Sequence, residues 1–333
     1  MAGLVATAVF CLLLLLLLAD PVPAPARTVA MGIGEQDPSM FTDRRWRRLG
    51  LPHARYLAAW DALEHRRQRA ELDAWMAAAR AAGARVTLSF KHSHRARRDM
   101  REFPTRAQFR AAVLGFRRRY PDVRDFIVWN EANHPLSLSS QRPGRVARLF
   151  DVAVRTCAGC RVVGADVLDI SGMTAWVRAF LRHARARPRI WGLHNYVDVR
   201  NRRSTGTLAL LAATRGKIWF TETGGWILRR KYEDGEIARE FRSSPREAAA
   251  GTRHALRLAC LSRRIRRVYL YNWQAPRNAP LYRTTWDSGL IGPYGRPRPA
   301  YELLLRHVRR TGAPVVRCRD GVMSRASMTE AAD

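Results

Sequence analysis

From Val29 onward the chain repeats one pattern: a short apolar run, a polar tip, an amphipathic stretch at helical spacing, a Gly or Pro stop, and the next apolar run. The runs predicted as strands are Val29–Gly34, His53–Ala59, Arg85–Phe90, Phe126–Trp129, Arg161–Ala165, Arg189–Tyr196, Lys217–Glu222 and Arg267–Trp273. The stretches between them carry helix signals. Leu72, Trp75, Met76 and Ala79 share one face ahead of a stop at Gly83, and Phe109, Val113 and Phe116 recur after a capping box at Thr105 and Gln108. Asp37-Pro38 reads as an N-cap followed by Pro at the first helical position, and Ser244-Pro245-Arg246-Glu247 combines that arrangement with a second capping box.

Eight such alternations within ~300 residues predict a closed (β/α)8 TIM barrel, α/β in class and a single domain. No Gly-rich phosphate turn follows the first run, which weighs against a dinucleotide-binding sheet. In a (β/α)8 barrel the carboxyl ends of the strands form the site, so the residues that tip each run matter most. Two runs end in a glutamate: Trp129-Asn130-Glu131 and Phe220-Thr221-Glu222. A carboxylate at the end of an apolar strand is half desolvated, which suits it to proton transfer. Two of them facing one cleft meet the requirement of glycoside hydrolysis. Glu35, Arg55, His92, His194, Tyr196 and Trp273 sit at or near strand ends as further candidates.

The first 26 residues stand outside this pattern. A leucine run from Leu12 to Leu18 precedes Ala24-Pro25-Ala26, so residues 1–26 read as a secretory signal cut before Arg27, with an uncleaved anchor as the alternative. The catalytic domain then covers 27–318, and 319–333 form a small, polar tail expected to fray. Cysteine usage agrees with export, since Cys157, Cys160, Cys260 and Cys318 remain, an even number. The spacing predicts a local Cys157–Cys160 bridge. Neighbouring barrel helices bring Cys260 and Cys318 together as the second.

The net charge of +31 comes almost wholly from arginine, Lys91, Lys217 and Lys231 being the only lysines. The arginines are spread over every helical segment instead of forming one patch, the distribution of solvated helix faces and not of a nucleic-acid surface. An acidic glycan remains compatible with that charge.

On Asn130-Glu131 and Glu222, in the fourth and seventh runs, the chain resembles glycoside hydrolase clan A, the (β/α)8 retaining glycosidases that include families 5 and 39. The resemblance spans about residues 29 to 310. It implies Glu131 as general acid/base and Glu222 as nucleophile, with Asn130 on the hydroxyl beside the anomeric carbon. His194-Asn195-Tyr196 resembles the clan's His-x-Tyr, placing Tyr196 beside the nucleophile and His194 near the acid/base. Arg55 resembles the arginine that keeps the nucleophile ionised, and Trp273 the indole under the reacting sugar. The chain departs from the clan's commonest pattern in carrying Ala132 after Glu131. The resemblance implies no cofactor, a poly- or oligosaccharide substrate and a monomer.

Two other readings stay open. His92-x-His94 suggests a metal-dependent barrel hydrolase, with His194 and Asp166 or Asp169 as further ligands, and a silent carbohydrate-binding barrel is the third. The long charged connection from Arg229 to Ser243 leaves the barrel just after Glu222 and is predicted to be a cleft wall or lid, or else a solvated excursion.

Overall fold

The protein is described by a computed structural model, which covers residues 27–93, 103–233, 236–276 and 286–318. The predicted signal peptide, the tail and His94 lie outside these residues. Strands β1 (Arg27–Gly34), β2 (His53–Ala59), β3 (Arg85–Lys91), β4 (Asp125–Ile127), β5 (Arg161–Val163), β6 (Asp166–Leu168), β7 (Ile190–His194) and β8 (Lys217–Thr223) follow in order along the chain. After a hairpin of β9 (Leu228–Glu233) and β10 (Glu236–Arg242) comes β11 (Ile265–Tyr271). The parallel sheet runs β5-β4-β3-β2-β1-β11-β8-β7-β6. Because β5 and β6 are halves of one strand, broken at Gly164-Ala165, the two ends of that list meet and the barrel closes on eight strands. Hydrogen bonds from Gly164 N to Ile190 O and from Gly192 N to Ala165 O carry the pairing through the break.

Sequence governs the details of each element. The helices α1 (Arg44–Leu49), α2 (Arg66–Ala81), α3 (Arg106–Arg119), α4 (Pro143–Thr156) and α5 (Met173–His183) pack on the outside of the barrel. Both capping boxes form, Thr105 with Gln108 at the start of α3 and Ser244 with Glu247 at the start of the later helix at Pro245–Leu258. The aromatic stripe of α3 explains its docking: Phe109 and Phe116 meet Phe90 of β3 edge-on, at 5.3 and 5.1 Å between ring centres. Truncating a fully buried Phe such as Phe90 costs about 3–5 kcal/mol.

The barrel interior is filled, not hollow. Ile127, Val163, Ile190, Trp219 and Tyr269 form a separate apolar cluster inside it. Below them Arg267 donates to Asp125 Oδ2 at 2.7 Å and to the Tyr269 hydroxyl at 2.9 Å, while its guanidinium lies 3.9 Å from the centre of the Trp219 ring. Arg267 and Asp125 stand near the starts of β11 and β4, so this cluster fills the amino-terminal end of the barrel.

Three expectations are corrected by the local structure. The sixth strand stops at His194, and Tyr196 begins a short helix, α6 (Tyr196–Arg200), which is followed by α7 (Thr205–Ala213). The last barrel strand ends at Tyr271, two residues before Trp273. The Arg229 to Ser243 connection is a paired hairpin and not an irregular loop: β9 and β10 pair antiparallel, and β12 (Trp286–Asp287) adds to the β9 edge through Arg229 and Leu228. Helices α8 (Pro245–Leu258) and α9 (Pro299–Thr311) then lead to β13 (Val315–Cys318), which runs antiparallel to β1 with Cys318 opposite Arg27. Disulfides join Cys157 to Cys160 and Cys260 to Cys318, the predicted pairing.

Candidate active site

Glu131 and Glu222 reach the carboxyl end of the barrel by different routes. β8 is extended through Glu222, which is delivered by ordinary strand geometry. The β4 strand stops at Ile127, and the chain continues in a turn held by Asn130 N to Phe90 O and Ala132 N to Asp166 O, both 2.8 Å. Within that turn Glu131 has φ 45°, a left-handed backbone that is uncommon outside Gly, Asn and Asp. Such outliers persist only where the surroundings over-determine them, and they concentrate at working sites.

The two carboxylates converge on His194. Its Nδ1 lies 3.1 Å from Glu131 Oε1 and 3.6 Å from Glu222 Oε2, and its ring is fully buried. One oxygen of each glutamate and a ring nitrogen of His194 all fall within 4.8 Å of one another. Arg55, 1% exposed, donates from Nη1 to Glu222 Oε1 at 2.6 Å and from Nη2 to Asn130 Oδ1 and Asp166 Oδ2, each at 2.7 Å. Tyr196 donates its hydroxyl to Glu222 Oε2 at 3.2 Å. The structure therefore brings Glu131, Glu222, Asn130, Arg55, His194 and Tyr196 into one group linked by hydrogen bonds and ion pairs.

The electrostatics of this group are mutual. Burial alone would strip His194 of its proton, but the charges of Glu222, Asp166 and Glu131 outweigh it and raise the imidazole to about 10. Burial would raise Glu131, yet the hydrogen bond and charge of His194 hold it below the usual carboxylate range. Arg55 is pushed up against its own burial by Asp166 and Glu222 and is cationic at every working pH. Lys91, ending β3, is lowered to about 8 by burial, opposed by the attraction of Glu222.

The remaining candidates lie elsewhere. Trp273 is 2% exposed and meets Tyr301 edge-on at 6.0 Å, so the expectation of a sugar platform there is not met. The physical reason is the early end of β11: inward parity stops at Tyr271, and the next residues turn away. Tyr271 is the aromatic that shares the inward face with Tyr269. It lies against Gly34, whose absent Cβ would come within 3.0 Å of its ring, and burial with Glu222 and Glu35 nearby raises its phenol well above the ordinary value. Glu35 is buried and already engaged, since Oε1 accepts from the backbone of Gln36 and Asp37, and Oε2 from Trp273 N, Gln274 N and Asn272 Nδ2. It braces the turn after β11 and is not open to a ligand. His92 is half-buried just beyond β3.

Sequence reasoning reached Phe241 of an aromatic wall, as a side chain able to stack on sugar, but missed its tryptophans. Trp286 packs on Tyr196 at 4.8 Å and on Trp226 at 5.8 Å, and its indole N–H donates to Ser288 Oγ at 2.7 Å. Phe241 of β10 completes the cluster beside Trp226, under the guanidinium of Arg200 at 4.5 Å. Trp286 follows a stretch with no strand or helix period, so nothing in the pattern marked it. Tyr271 could have been found from alternation, as the inward position two residues after Tyr269.

The fold, as distinct from the site, is found in solved structures. The fold is that of glycoside hydrolases from families 5 and 39. A family 5, subfamily 18 enzyme from Streptomyces cattleya, solved with GlcNAc, superposes at TM-score 0.60 and 17% identity, covering 86% of this chain and 80% of that one. A family 39 glycoside hydrolase from Bacteroides cellulosilyticus WH2 gives 0.56 and 15%, over 84% and 63% of the two chains. The family 39 enzyme of Xanthomonas axonopodis pv. citri gives 0.57 and 14%, over 87% and 70%. No protein-family model and no curated protein matches the sequence.

Proposed function

We propose that the chain is an exported retaining glycoside hydrolase acting on a poly- or oligosaccharide, with Glu222 as nucleophile and Glu131 as general acid/base. The observation that carries this reading is the convergence of Glu131 and Glu222 on His194, with oxygens within 4.8 Å of each other. That approach suits direct attack on the sugar; inverting enzymes hold their carboxyl groups ~6.5–9.5 Å apart to admit a water. The partners divide the labour. Arg55 and Tyr196 donate to the two oxygens of Glu222 and hold it in place, whereas Glu131 meets His194, a group able to exchange a proton with it.

In the first step Glu222 forms an ester with the anomeric carbon while the Glu131 carboxyl gives its proton to the departing oxygen. In the second step Glu131, now a carboxylate, takes a proton from water as that water attacks the anomeric carbon and frees Glu222. Asn130 Oδ1 accepts from Arg55, which turns the amide NH2 the other way, toward a hydroxyl of the reacting sugar. Trp286 and Tyr271 offer the aromatic faces on which pyranose C–H groups stack, and the β9–β10 hairpin, with the Trp286 strand on its edge, forms the cleft wall.

Export rests on the leucine run ahead of Ala24-Pro25-Ala26 and on the two disulfides. Among the described residues no helix is long and apolar enough to cross a membrane. The deciding experiment is a screen of the purified protein against aryl glycosides and polysaccharides, following product configuration by NMR. Net retention supports the proposal, and inversion or inactivity on the whole panel defeats it.

A further inference from the structure

One buried carboxylate reaches the centre of the site without being part of the glutamate pair. Asp166 opens β6 and is fully buried. Its Oδ2 accepts from Arg55 Nη2 at 2.7 Å and Ser89 Oγ at 3.3 Å, and its Oδ1 accepts from Thr221 Oγ1 at 2.6 Å. The same Oδ2 lies 3.4 Å from His194 Nε2, close enough for charge attraction though not aligned as a hydrogen bond. The neighbouring strand makes room for it. A Cβ at Gly192 would lie 1.9 Å from Asp166 Oδ1 and 2.8 Å from Thr221 Oγ1, so any other residue there would displace the carboxylate.

The consequence is a balance of charge. Arg55 is shared between Asp166 and Glu222, and His194 between Asp166 on its Nε2 side and the two glutamates on its Nδ1 side. Facing His194 are Glu131 from the turn after β4, Asp166 from β6 and Glu222 from β8, with Tyr196 at 6.3 Å between ring centres. Arg55 and Lys91 act on it through Glu222 and Asp166.

We propose that Asp166 is a positioning residue that holds Arg55 on Glu222 and fixes the His194 ring so that the His194–Glu131 pair stores the proton delivered to the leaving group. This rests on the glycosidase reading. The pair carries one proton in either arrangement, imidazolium beside carboxylate or imidazole beside carboxylic acid. When the glycosidic bond breaks that proton leaves on the departing oxygen, and the pair is left as neutral imidazole and carboxylate. The water of the second step returns a proton to it. Asp166 is itself held near a pKa of about 2, because Arg55 and His194 overcome the effect of its burial, so it stays an anion throughout.

The test is Asp166→Asn in the mature chain, with Thr221→Val as a gentler variant that removes only the bond orienting Oδ1. The His194 ring is followed by 15N NMR, assigned through its loss in His194→Gln. We expect the titration midpoint in Asp166→Asn to fall by about one unit or more, a tenfold loss of proton affinity. Thr221→Val should shift it less, in the same direction. The alkaline limb of aryl-glycoside turnover should move with it. A His194 midpoint unchanged in either folded variant overturns the proposal, as does an alkaline limb that stays fixed while the midpoint moves. If no glycoside is cleaved even by the wild type, the glycosidase reading falls, and with it the proton's destination, while the NMR titration still decides whether Asp166 governs His194.

Discussion

The Cys260–Cys318 disulfide offers a test whose size can be worked from the fold. It closes 58 residues, a segment that contains β11, β12, α9 and β13. In the chain-entropy account a closure of that length removes roughly 14 cal/mol/K from the unfolded ensemble, about 4 kcal/mol at 25 °C. The Cys157–Cys160 bridge spans only 3 positions, for which the same expression gives about 2 kcal/mol. The first bridge also fastens β13 to the edge where β1 begins, beside Arg27, which donates to Ile265 O and Ala259 O. Replacing each cysteine pair by serines and measuring denaturant unfolding, with slopes compared to exclude a change of unfolded state, should give losses of about 4 and about 2 kcal/mol. A Cys260/Cys318 double variant that loses no more than the Cys157/Cys160 variant would refute the argument that loop length sets the contribution.

The catalytic assignment has its own signature: Glu222→Ala should regain turnover with azide and give a product of inverted configuration, while Glu131→Ala on an activated aryl glycoside should be restored by azide with retention. Exchanged outcomes would reverse the two roles. Trp286→Ala should raise KM for an oligosaccharide by about 2- to 10-fold, in line with ~0.5–1.5 kcal/mol for an aromatic contact, with little change in kcat on a small aryl glycoside; an equal effect on both substrates would remove the wall from the substrate path. His194 titrates at about 10 in the folded chain against an ordinary 6.5, so the stability it contributes is complete below pH 6.5 and is lost as pH rises through 10. Unfolding curves across that window should show the decline, and His194→Gln should flatten it.

The barrel was legible because each strand-helix unit announces itself locally: Thr105 with Gln108 and Ser244 with Glu247 start helices by capping, and strand-end glutamates follow continuous apolar runs. The residues gathered around Glu222 were legible through the resemblance, which matched Arg55 on the second strand and His194 at the end of the sixth. What failed was information held in three dimensions. Trp273 was chosen by assuming that its strand ran two residues further, and the backbone of Trp273 instead donates to Glu35 in a turn. Asp166 was read as a strand tip and a possible metal ligand but not as a partner of Arg55, because the vacancy at Gly192 that admits its carboxylate is a relation between two strands. Trp286 belongs to a two-residue strand whose existence depends on the hairpin at Leu228–Arg242.

The same geometry favours proton over metal chemistry at Glu131, His194 and Glu222, three residues close enough to hold an ion. A metal ligand must offer a lone pair, and His194 Nδ1 faces two carboxylates with its ring held protonated to about 10. The positive charge that an ion would bring is already supplied by Arg55, bonded to Glu222 and Asp166 at 2.6 and 2.7 Å. Introducing a dication would require His194 to lose its proton and would set a second strong cation within reach of Arg55, both opposed by the buried setting. The His92-x-His94 reading gains nothing here, because His94 lies outside the described residues. Chelation is therefore expected to leave turnover unchanged. Dialysis against EDTA followed by aryl-glycoside assay measures it, and a loss restored by added zinc or manganese would show that the His194 proton had been assigned to the wrong state.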